Sequence, residues 1–162
     1  MTEAEKRLHR CCFTGHRPEK LTAPEWLVKR ELEREIHQAI ADGLDVFITG
    51  MARGVDIWAA EIVLDLRDAG APIRLMCASP FEGFERSWND EWQLRYRTIM
   101  NAADHTLFVC PVYSRSCFQI RNEWMVNHSS RVIAVFSGET GGTKNTINFA
   151  SKSHVPVKIV SI

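Results

Sequence analysis

The sequence predicts an α/β fold built on a mainly parallel sheet. Six short hydrophobic runs indicate strands, at residues 10–14, 45–49, 73–78, 105–109, 132–136 and 155–160. Most of these runs are apolar at nearly every position, which is typical of parallel strands that are covered on both faces. Longer segments with helical spacing separate the runs, so strands and helices alternate along the chain.

Each helix is predicted from apolar residues that recur about every three or four positions. In chain order these are Leu27, Leu32, Ile36 and Ile40, then Ile57, Ala60, Val63 and Leu64, then Trp88, Trp92, Tyr96, Ile99 and Met100, then Trp124, and last Ile147 and Ala150. The first helix is expected to begin at Thr22 or Ala23, with Pro24 in its first turn, and to end at residues 42–43. Residues 69–72 end the second helix and residues 101–104 lead out of the third.

Length and charge limit the organisation of the chain. With 162 residues and 45% hydrophobic content, the sequence fits one domain over residues 1–162, of which residues 1–8 are expected to be disordered. Twenty Lys and Arg balance twenty Asp and Glu. Charge alone therefore implies no extended basic face, and nucleic acid is not an expected partner.

Cysteine usage and hydropathy indicate a cytoplasmic protein. The five cysteines form an odd set without a Cys-x-x-Cys pair, and Cys77 and Cys110 lie in apolar runs, which favours reduced thiols. The first ten residues hold no apolar signal core, and no stretch of about 18 apolar residues occurs, so neither secretion nor a membrane span is expected. His and Cys residues are scattered without ligand spacing, so no metal site is expected.

The candidate site lies where the predicted strands end, because open parallel sheets bind ligands at the carboxyl ends of their strands. Within residues 47–56, Gly50 can make the tight turn after a strand and Gly54 can begin a helix. Asp56 then falls in the first helical turn, where a carboxylate caps backbone N–H groups or accepts ribose hydroxyls. A plain turn with an acidic cap is the alternative. The segment is neither the six-residue dinucleotide fingerprint nor a P-loop.

Other strand ends add residues that suit phosphate. Gly141, Gly142 and Thr143 precede a short helix and form either a nest of N–H groups or a surface loop with Thr143 as N-cap. Arg121 supplies a guanidinium for phosphate, or a surface pair with Glu123. The predicted ligand-binding set is Thr14, Gly15, His16, Arg17, Gly50, Arg53, Gly54, Asp56, Arg121, Asn122, Gly141, Gly142 and Thr143.

Few residues qualify for acid-base chemistry. His16 is the best candidate by position, although a lone histidine in a turn is more often structural. Glu82 and Glu123 are further candidates. The aromatic residues 88, 92 and 96 repeat every four positions, which is more typical of a helix face packed on the sheet than of a stacking platform for bases.

Together these motifs resemble the SLOG superfamily, which joins the DNA-processing Smf/DprA proteins to the LOG phosphoribohydrolases. The resemblance lies in residues 13–18, 49–56, 80–81, 119–126 and 141–143, and their order is most similar to the small YpsA-like branch. It covers about residues 11–159 and implies a Rossmann-like three-layer αβα sandwich with a nucleotide-type ligand at the carboxyl edge of the sheet. The residues that match motif positions are Thr14, Gly15, Gly50, Gly54, Asp56, Arg121, Asn122, Gly142 and Thr143.

The two relatives imply different chemistry. Residues 49–56 are similar to the Ser-Gly-x-Ala-Arg-Gly-x-Asp element of the DNA-processing proteins, which bind single-stranded DNA and a recombinase partner but carry added regions, so DNA binding is not transferred. The hydrolases use a Pro-Gly-Gly-x-Gly-Thr-x-x-Glu element, and Thr146 stands here in place of the glutamate. The missing carboxylate weakens the hydrolase interpretation.

The leading hypothesis is a cytoplasmic bacterial protein that binds a nucleotide or a nucleotide-derived ligand, such as ADP-ribose or an NAD-like compound, as a sensor in stress or phage response. Two alternatives stay open. One is a nucleoside-phosphate N-ribohydrolase in which His16, Glu82 or Glu123 supplies acid-base chemistry, and the other is a non-catalytic interaction scaffold. Self-association into a homo-oligomer is a further hypothesis, because five tryptophans need cover. Bulkier residues at Gly54 or Gly142 are expected to abolish binding and leave most of the fold.

Overall fold

Six strands form one all-parallel sheet in the computed structural model, which describes residues 1–162. The strands are β1 (Arg10–Gly15), β2 (Val46–Thr49), β3 (Arg74–Ser79), β4 (His105–Phe108), β5 (Arg131–Phe136) and β6 (Val157–Ser161). The helices are α1 (Glu3–Arg7), α2 (Glu25–Ala41), α3 (Val55–Asp68), α4 (Asp90–Ala102), α5 (Cys117–Asn127) and α6 (Gly142–Lys152). All six predicted strands are confirmed, and the sheet is wholly rather than mainly parallel.

The order of the strands determines where a ligand can enter. From edge to edge it is β4-β3-β2-β1-β5-β6. The chain builds outward from β1 to β4, then crosses to the other side of β1 to add β5 and β6. The direction therefore reverses between β1 and β5, and the crevice at such a reversal is where open α/β sheets bind their ligands.

Helices cover both faces of the sheet, which gives the three layers that the sequence predicts. α2, α3 and α4 enclose the larger core on one face, and α5 and α6 cover a smaller core on the other. Phe13 of β1 enters the larger core while its neighbour Cys12 enters the smaller one. Because successive strand residues point to opposite faces and both faces are buried, the strands are apolar at nearly every position.

The amino-terminal part of the chain adds two details. Residues 1–8, which were expected to be disordered, contain α1, and a capping box between Thr2 and Glu5 begins this helix. Arg7 Nε donates a hydrogen bond to the Ser129 carbonyl at 3.0 Å, which holds α1 to the turn before β5. Pro24 is the N-cap of α2 rather than a residue of its first turn, and its carbonyl accepts from the next turn of the helix.

Three surface and side-chain properties complete the fold. None of the helices combines the length and the apolar character that a crossing of the lipid bilayer requires. All five cysteines are buried and carry free thiols. No three His, Cys, Asp or Glu side chains gather into a group that could bind a metal ion.

Candidate functional site

A cleft of about 450 Å³ opens at the carboxyl edge of the sheet, beside the reversal between β1 and β5. This volume lies in the range of small-molecule sites. Its lining consists of residues from the ends of the strands and the first turns of the following helices: Thr14, Gly15, His16, Arg17, Lys20, Ala52, Arg53, Asp56, Phe84, Trp88, Phe118, Arg121, Asn122, Gly142 and Thr143. All of the predicted ligand-binding residues except Gly50, Gly54 and Gly141 therefore line one cavity.

The turn between β2 and α3 forms the floor of the cleft. Thr49 Oγ1 donates to the Asp56 carbonyl at 2.8 Å and accepts from the Met51 N–H at 3.3 Å, so the turn closes on itself. Met51 is fully buried with a φ of 65°, a left-handed conformation that non-glycine residues rarely adopt. Strain of this kind persists where the surrounding structure enforces it, which is common at ligand sites.

Asp56 and Arg121 place opposite charges at the buried centre of the cleft. They are 6% and 4% exposed, and no direct hydrogen bond joins them. Instead, Asp56 Oδ2 accepts from the Ala52 N–H at 3.2 Å, while Arg121 donates to the Gly50 carbonyl and to Asn122 Oδ1. Asp56 Oδ1 has no hydrogen-bond partner. A buried carboxylate oxygen without a partner is costly, so a hydrogen-bond donor that reached this atom would stabilise the site.

Burial shifts the pKa values of both groups. Loss of solvent raises the pKa of Asp56 to about 6, although Arg121 and the Ala52 N–H act in the opposite direction. Burial also lowers the pKa of Arg121 from its usual value, and the neighbouring Asp56 opposes that change. At neutral pH the cleft therefore holds a carboxylate that is close to its titration range beside a guanidinium that is charged.

Two glycines let the first strand end approach α3. A Cβ on Gly15 would stand 2.5 Å from Val55, and a Cβ on Gly54 would stand 2.7 Å from the His16 carbonyl. Gly54 also has a φ of 91°, which L side chains seldom adopt. The glycine spacing thus serves close packing of the turns that surround the cleft.

His16 is held in one orientation on the β5 side of the cleft. It is 4% exposed, its ring stacks on Phe136, and Nε2 accepts from the Ser137 N–H at 3.3 Å. Burial lowers the pKa of His16, and the nearby Lys20 acts in the same direction. A neutral ring with the proton on Nδ1 fits this network, since Nε2 serves as the acceptor.

The end of the cleft near β1 and β5 suits an anion. α6 begins at Gly142 without a side-chain cap, so the N–H groups of its first turn are not capped by the protein. Thr143 is buried beside them, and the Lys20 ammonium lies 3.6 Å from the position that a Gly141 Cβ would occupy. Arg17 adds an exposed guanidinium. Backbone donors at a positive helix end together with two cations favour a phosphate.

The opposite end of the cleft is aromatic. Phe84, Trp88 and Phe118, which we call the aromatic wall, line it. The Phe84 ring lies 5.0 Å from Trp88 and 5.6 Å from Phe118, and the Arg121 guanidinium lies 6.0 Å from the Phe84 centroid. The sequence interpretation assigned residue 88 to a helix face, but it precedes α4 and faces the cleft. Phe84, Phe118 and Lys20 were missed because no local pattern distinguishes them.

The candidate carboxylates Glu82 and Glu123 lie outside the cleft lining. Glu82 is exposed after β3, and Glu123 accepts a hydrogen bond from Gln119 at 2.9 Å on α5. Thr146, which replaces the glutamate of the hydrolase element, donates its hydroxyl hydrogen bond to the Gly142 carbonyl at 2.8 Å. Asp56 is thus the carboxylate that the fold brings to the cavity.

A second and larger cleft, about 650 Å³, lies at the amino-terminal edge of the sheet. Its lining mixes cations such as Lys6 and Arg10 with the carboxylates of Asp45 and Asp104. Asp104 already accepts from the Leu75 N–H and from Arg67. Because the glycine turns, the helix starts and the buried charges gather at the carboxyl edge, the smaller cleft is the candidate functional site.

Comparison with known proteins gives the chain its family. The model of the YspA SLOG family matches residues 11–161. The uncharacterised SPbeta prophage-derived protein YoqJ of Bacillus subtilis is 31% identical over 121 residues, which are 67% of this chain and 71% of YoqJ. A UPF0398 protein of Staphylococcus haemolyticus is 26% identical over 147 residues, 86% of this chain and 79% of the relative.

Two solved structures share the fold. DNA processing protein A of Helicobacter pylori, described as binding single-stranded DNA, superposes with a TM-score of 0.66 at 19% identity over 97% of this chain. The Streptococcus pneumoniae DprA gives 0.67 at 16% identity over 94% of it. This chain spans 66% and 50% of those two proteins. The likeness establishes the Rossmann-like architecture.

Proposed function

The chain belongs to the YspA SLOG family, and on this premise we propose that it binds a nucleotide or a nucleotide-derived ligand in the cleft at the carboxyl edge of its sheet. Buried Asp56 carries the proposal, because its Oδ1 lacks a partner and the side chain lines the cleft beside Arg121. A ribose hydroxyl would supply the missing hydrogen bond. The phosphate would lie against the first turn of α6, Arg17 and Lys20.

The lining favours binding over hydrolysis. Glycosidic cleavage commonly uses two carboxylates, and Asp56 is the one carboxylate among the lining residues. His16 Nε2 is engaged with Ser137. A sensor that reports a nucleotide signal in bacterial stress or phage response needs binding without turnover, which this lining supports.

Thermal unfolding tests the proposal directly. We expect at least one compound in a panel of NAD, ADP-ribose, cyclic nucleotides and nucleoside mono-, di- and triphosphates to raise Tm. A ligand at a hundredfold its Kd adds about 2.7 kcal/mol, which is a rise on the order of 5–10 °C for a chain of this size. No rise with any compound would favour the scaffold alternative, and release of free base would instead establish the ribohydrolase.

A variant at Gly142 separates binding from stability. A Cβ there would come no closer than 4.0 Å to a neighbouring side chain, so the fold admits Gly142→Asp. A carboxylate at the start of α6 stabilises the helix dipole and repels a phosphate. We expect Gly142→Asp to keep or raise the unliganded Tm and to abolish the ligand-induced rise, while Gly142→Ala retains most of it. An unchanged rise in Gly142→Asp would contradict the placement of the phosphate.

A further inference from the structure

We propose that the aromatic wall is a base-binding platform, so that the cleft takes base-bearing nucleotides in one orientation, with the base beside β3 and β4 and the phosphate beside β1 and β5. This inference rests on the nucleotide site proposed above. It assigns a role to Phe84, Trp88 and Phe118, whose rings line the cleft.

The strand order gives the cleft two chemically different ends. The wall follows β3 and β4, Asp56 follows β2, the basic turn with Arg17 follows β1, and Gly142 follows β5. Adjacent strands lie about 4.8 Å apart, so two to four strand spacings, about 10 to 19 Å, separate the strands behind the aromatic end from those behind the anion-binding end. The buried Asp56 and Arg121 lie between them. A nucleotide has the same sequence of parts, with an aromatic base, a hydroxyl-bearing sugar and an anionic phosphate.

The wall is held in place before any ligand arrives. Trp88 meets Tyr96 edge to face, with centroids 5.6 Å apart, and the Tyr96 hydroxyl hydrogen-bonds Ser79 Oγ at 2.8 Å in the buried end of β3. Gly83 has a φ of 91° and begins the short 3-10 turn that presents Phe84. A preorganised aromatic surface loses little entropy when a base stacks on it.

The exposure of the wall distinguishes it from ordinary core packing. Phe118 remains 37% exposed, and Phe84 and Trp88 are only partly buried although the core lies behind them. Their neighbour Tyr113 packs on Phe118 at 6.3 Å but lies outside the cleft lining. Tyr113 thus provides a matched control from the same aromatic cluster.

The experiment compares AMP with ribose 5-phosphate, which carries the sugar and the phosphate without the base, by calorimetry on the full chain. Stacking of one base on aromatic side chains is worth roughly 5- to 150-fold in affinity. We expect AMP to bind the unmodified protein tighter by that factor. Phe118→Ala and Phe118→Leu should each weaken AMP about tenfold and leave ribose 5-phosphate unchanged, while Tyr113→Ala leaves both unchanged. The circular dichroism of each variant checks its fold.

Tryptophan fluorescence provides a second readout, which can be measured on the unmodified protein. Trp88 is the tryptophan that lines the cleft, so AMP should quench emission and ribose 5-phosphate should not. Trp88→Phe keeps an aromatic ring and should remove the quenching while retaining most of the affinity.

The outcomes separate this inference from the proposed function. Equal affinities for AMP and ribose 5-phosphate would overturn the base platform and leave the anion site standing. Equal weakening of both compounds by the Phe118 variants would also overturn it, because the effect would then be structural. Failure of both compounds to bind the unmodified protein would overturn the inference together with the proposed site.

Discussion

Asp56 should make ligand binding depend on pH. Burial raises the pKa of Asp56 to about 6, above its value in the unfolded chain. Between pH 4 and 6 the folded state therefore binds more protons than the unfolded state, and the free energy of unfolding falls as the pH rises through this window. Well above pH 6 the carboxylate is ionised in both states and this contribution stays constant. The ionised form is the stronger acceptor for a ligand hydroxyl.

We therefore expect ligand affinity to rise with pH, while the contribution of Asp56 to the stability of the free protein falls as the pH rises from 4 to 6. ADP-ribose is a suitable probe, because its linked phosphates lack the proton of a phosphate monoester that titrates near pH 6. Its affinity should increase by up to about tenfold from pH 5 to pH 7. Calorimetry at several pH values measures the change.

Two variants identify the group that titrates. Asp56→Asn should flatten the pH profile, since the amide does not ionise. His16→Gln should preserve it, even though burial also places the pKa of His16 below its usual value. A profile that flattens with His16→Gln and persists with Asp56→Asn would assign the dependence to the histidine.

Residue types in the turns could be predicted from the sequence, but their contacts could not. Gly50, Gly54 and Asp56 stand in a local pattern with a local physical cause, namely a strand that must turn sharply into a helix. The charge that faces Asp56 comes from Arg121 on α5, which is distant in sequence. Glu82 and Glu123 were candidates by residue type, and whether a helical or loop carboxylate faces a cavity depends on tertiary packing.

At the scale of elements, the start of α3 depends on Gly54. The sequence analysis expected bulkier residues at Gly54 and Gly142 to have the same effect, but the two glycines have different surroundings in the structure. A Cβ on Gly54 would stand 2.7 Å from the His16 carbonyl and 3.0 Å from Pro18, in addition to the strain of its φ. Moving backbone atoms and a proline ring costs considerable free energy. To avoid the collision, the start of α3 and the turn after β1 would have to move apart.

Gly54→Ala should therefore cost more stability than Gly70→Ala. Gly70 has a φ of 110° but open space around its Cβ position, so it isolates the conformational cost from the collision. We expect Gly54→Ala to lose at least about 2 kcal/mol more, which lowers Tm by a further 4–8 °C or so. Differential scanning calorimetry measures both variants. Equal losses would show that the two turns adapt and that the close packing at Gly54 is unimportant.

The elements themselves were predictable because their signals are local. Strands buried on both faces are apolar throughout, and glycines such as Gly43 and Gly70 end α2 and α3 with positive φ. The short helix α1 escaped prediction, since it buries no residue and its position depends on a contact with Ser129. The aromatic wall escaped as well, because Phe84 and Phe118 are distant in sequence and meet only after the sheet has formed.

At the scale of the whole molecule, charge balance coexists with a basic cleft. The net charge is zero, yet the lining holds four cations and one carboxylate. Arg53 is paired with Glu19, and Arg121 is buried, so Arg17 and Lys20 remain for an external phosphate.

Self-association stays a prediction of the sequence. Exposed apolar residues in and after β4, among them Phe108 and Val112, are available to it.

These charges predict how single-stranded DNA would bind if it shares the cleft. Each phosphate neutralised on a single strand contributes about −0.7 to the slope of log affinity against log salt, so two free cations give a slope of about −1.4. We expect any binding of an oligothymidylate in the cleft to be weak, to have a slope no steeper than this, and to be reversed by AMP. Fluorescence anisotropy over a salt series measures the slope, and Arg17→Ala should reduce it by about half. A slope of −3 or steeper, unaffected by AMP, would instead place DNA on a surface outside the cleft, because the cleft does not hold enough unpaired cations to produce it.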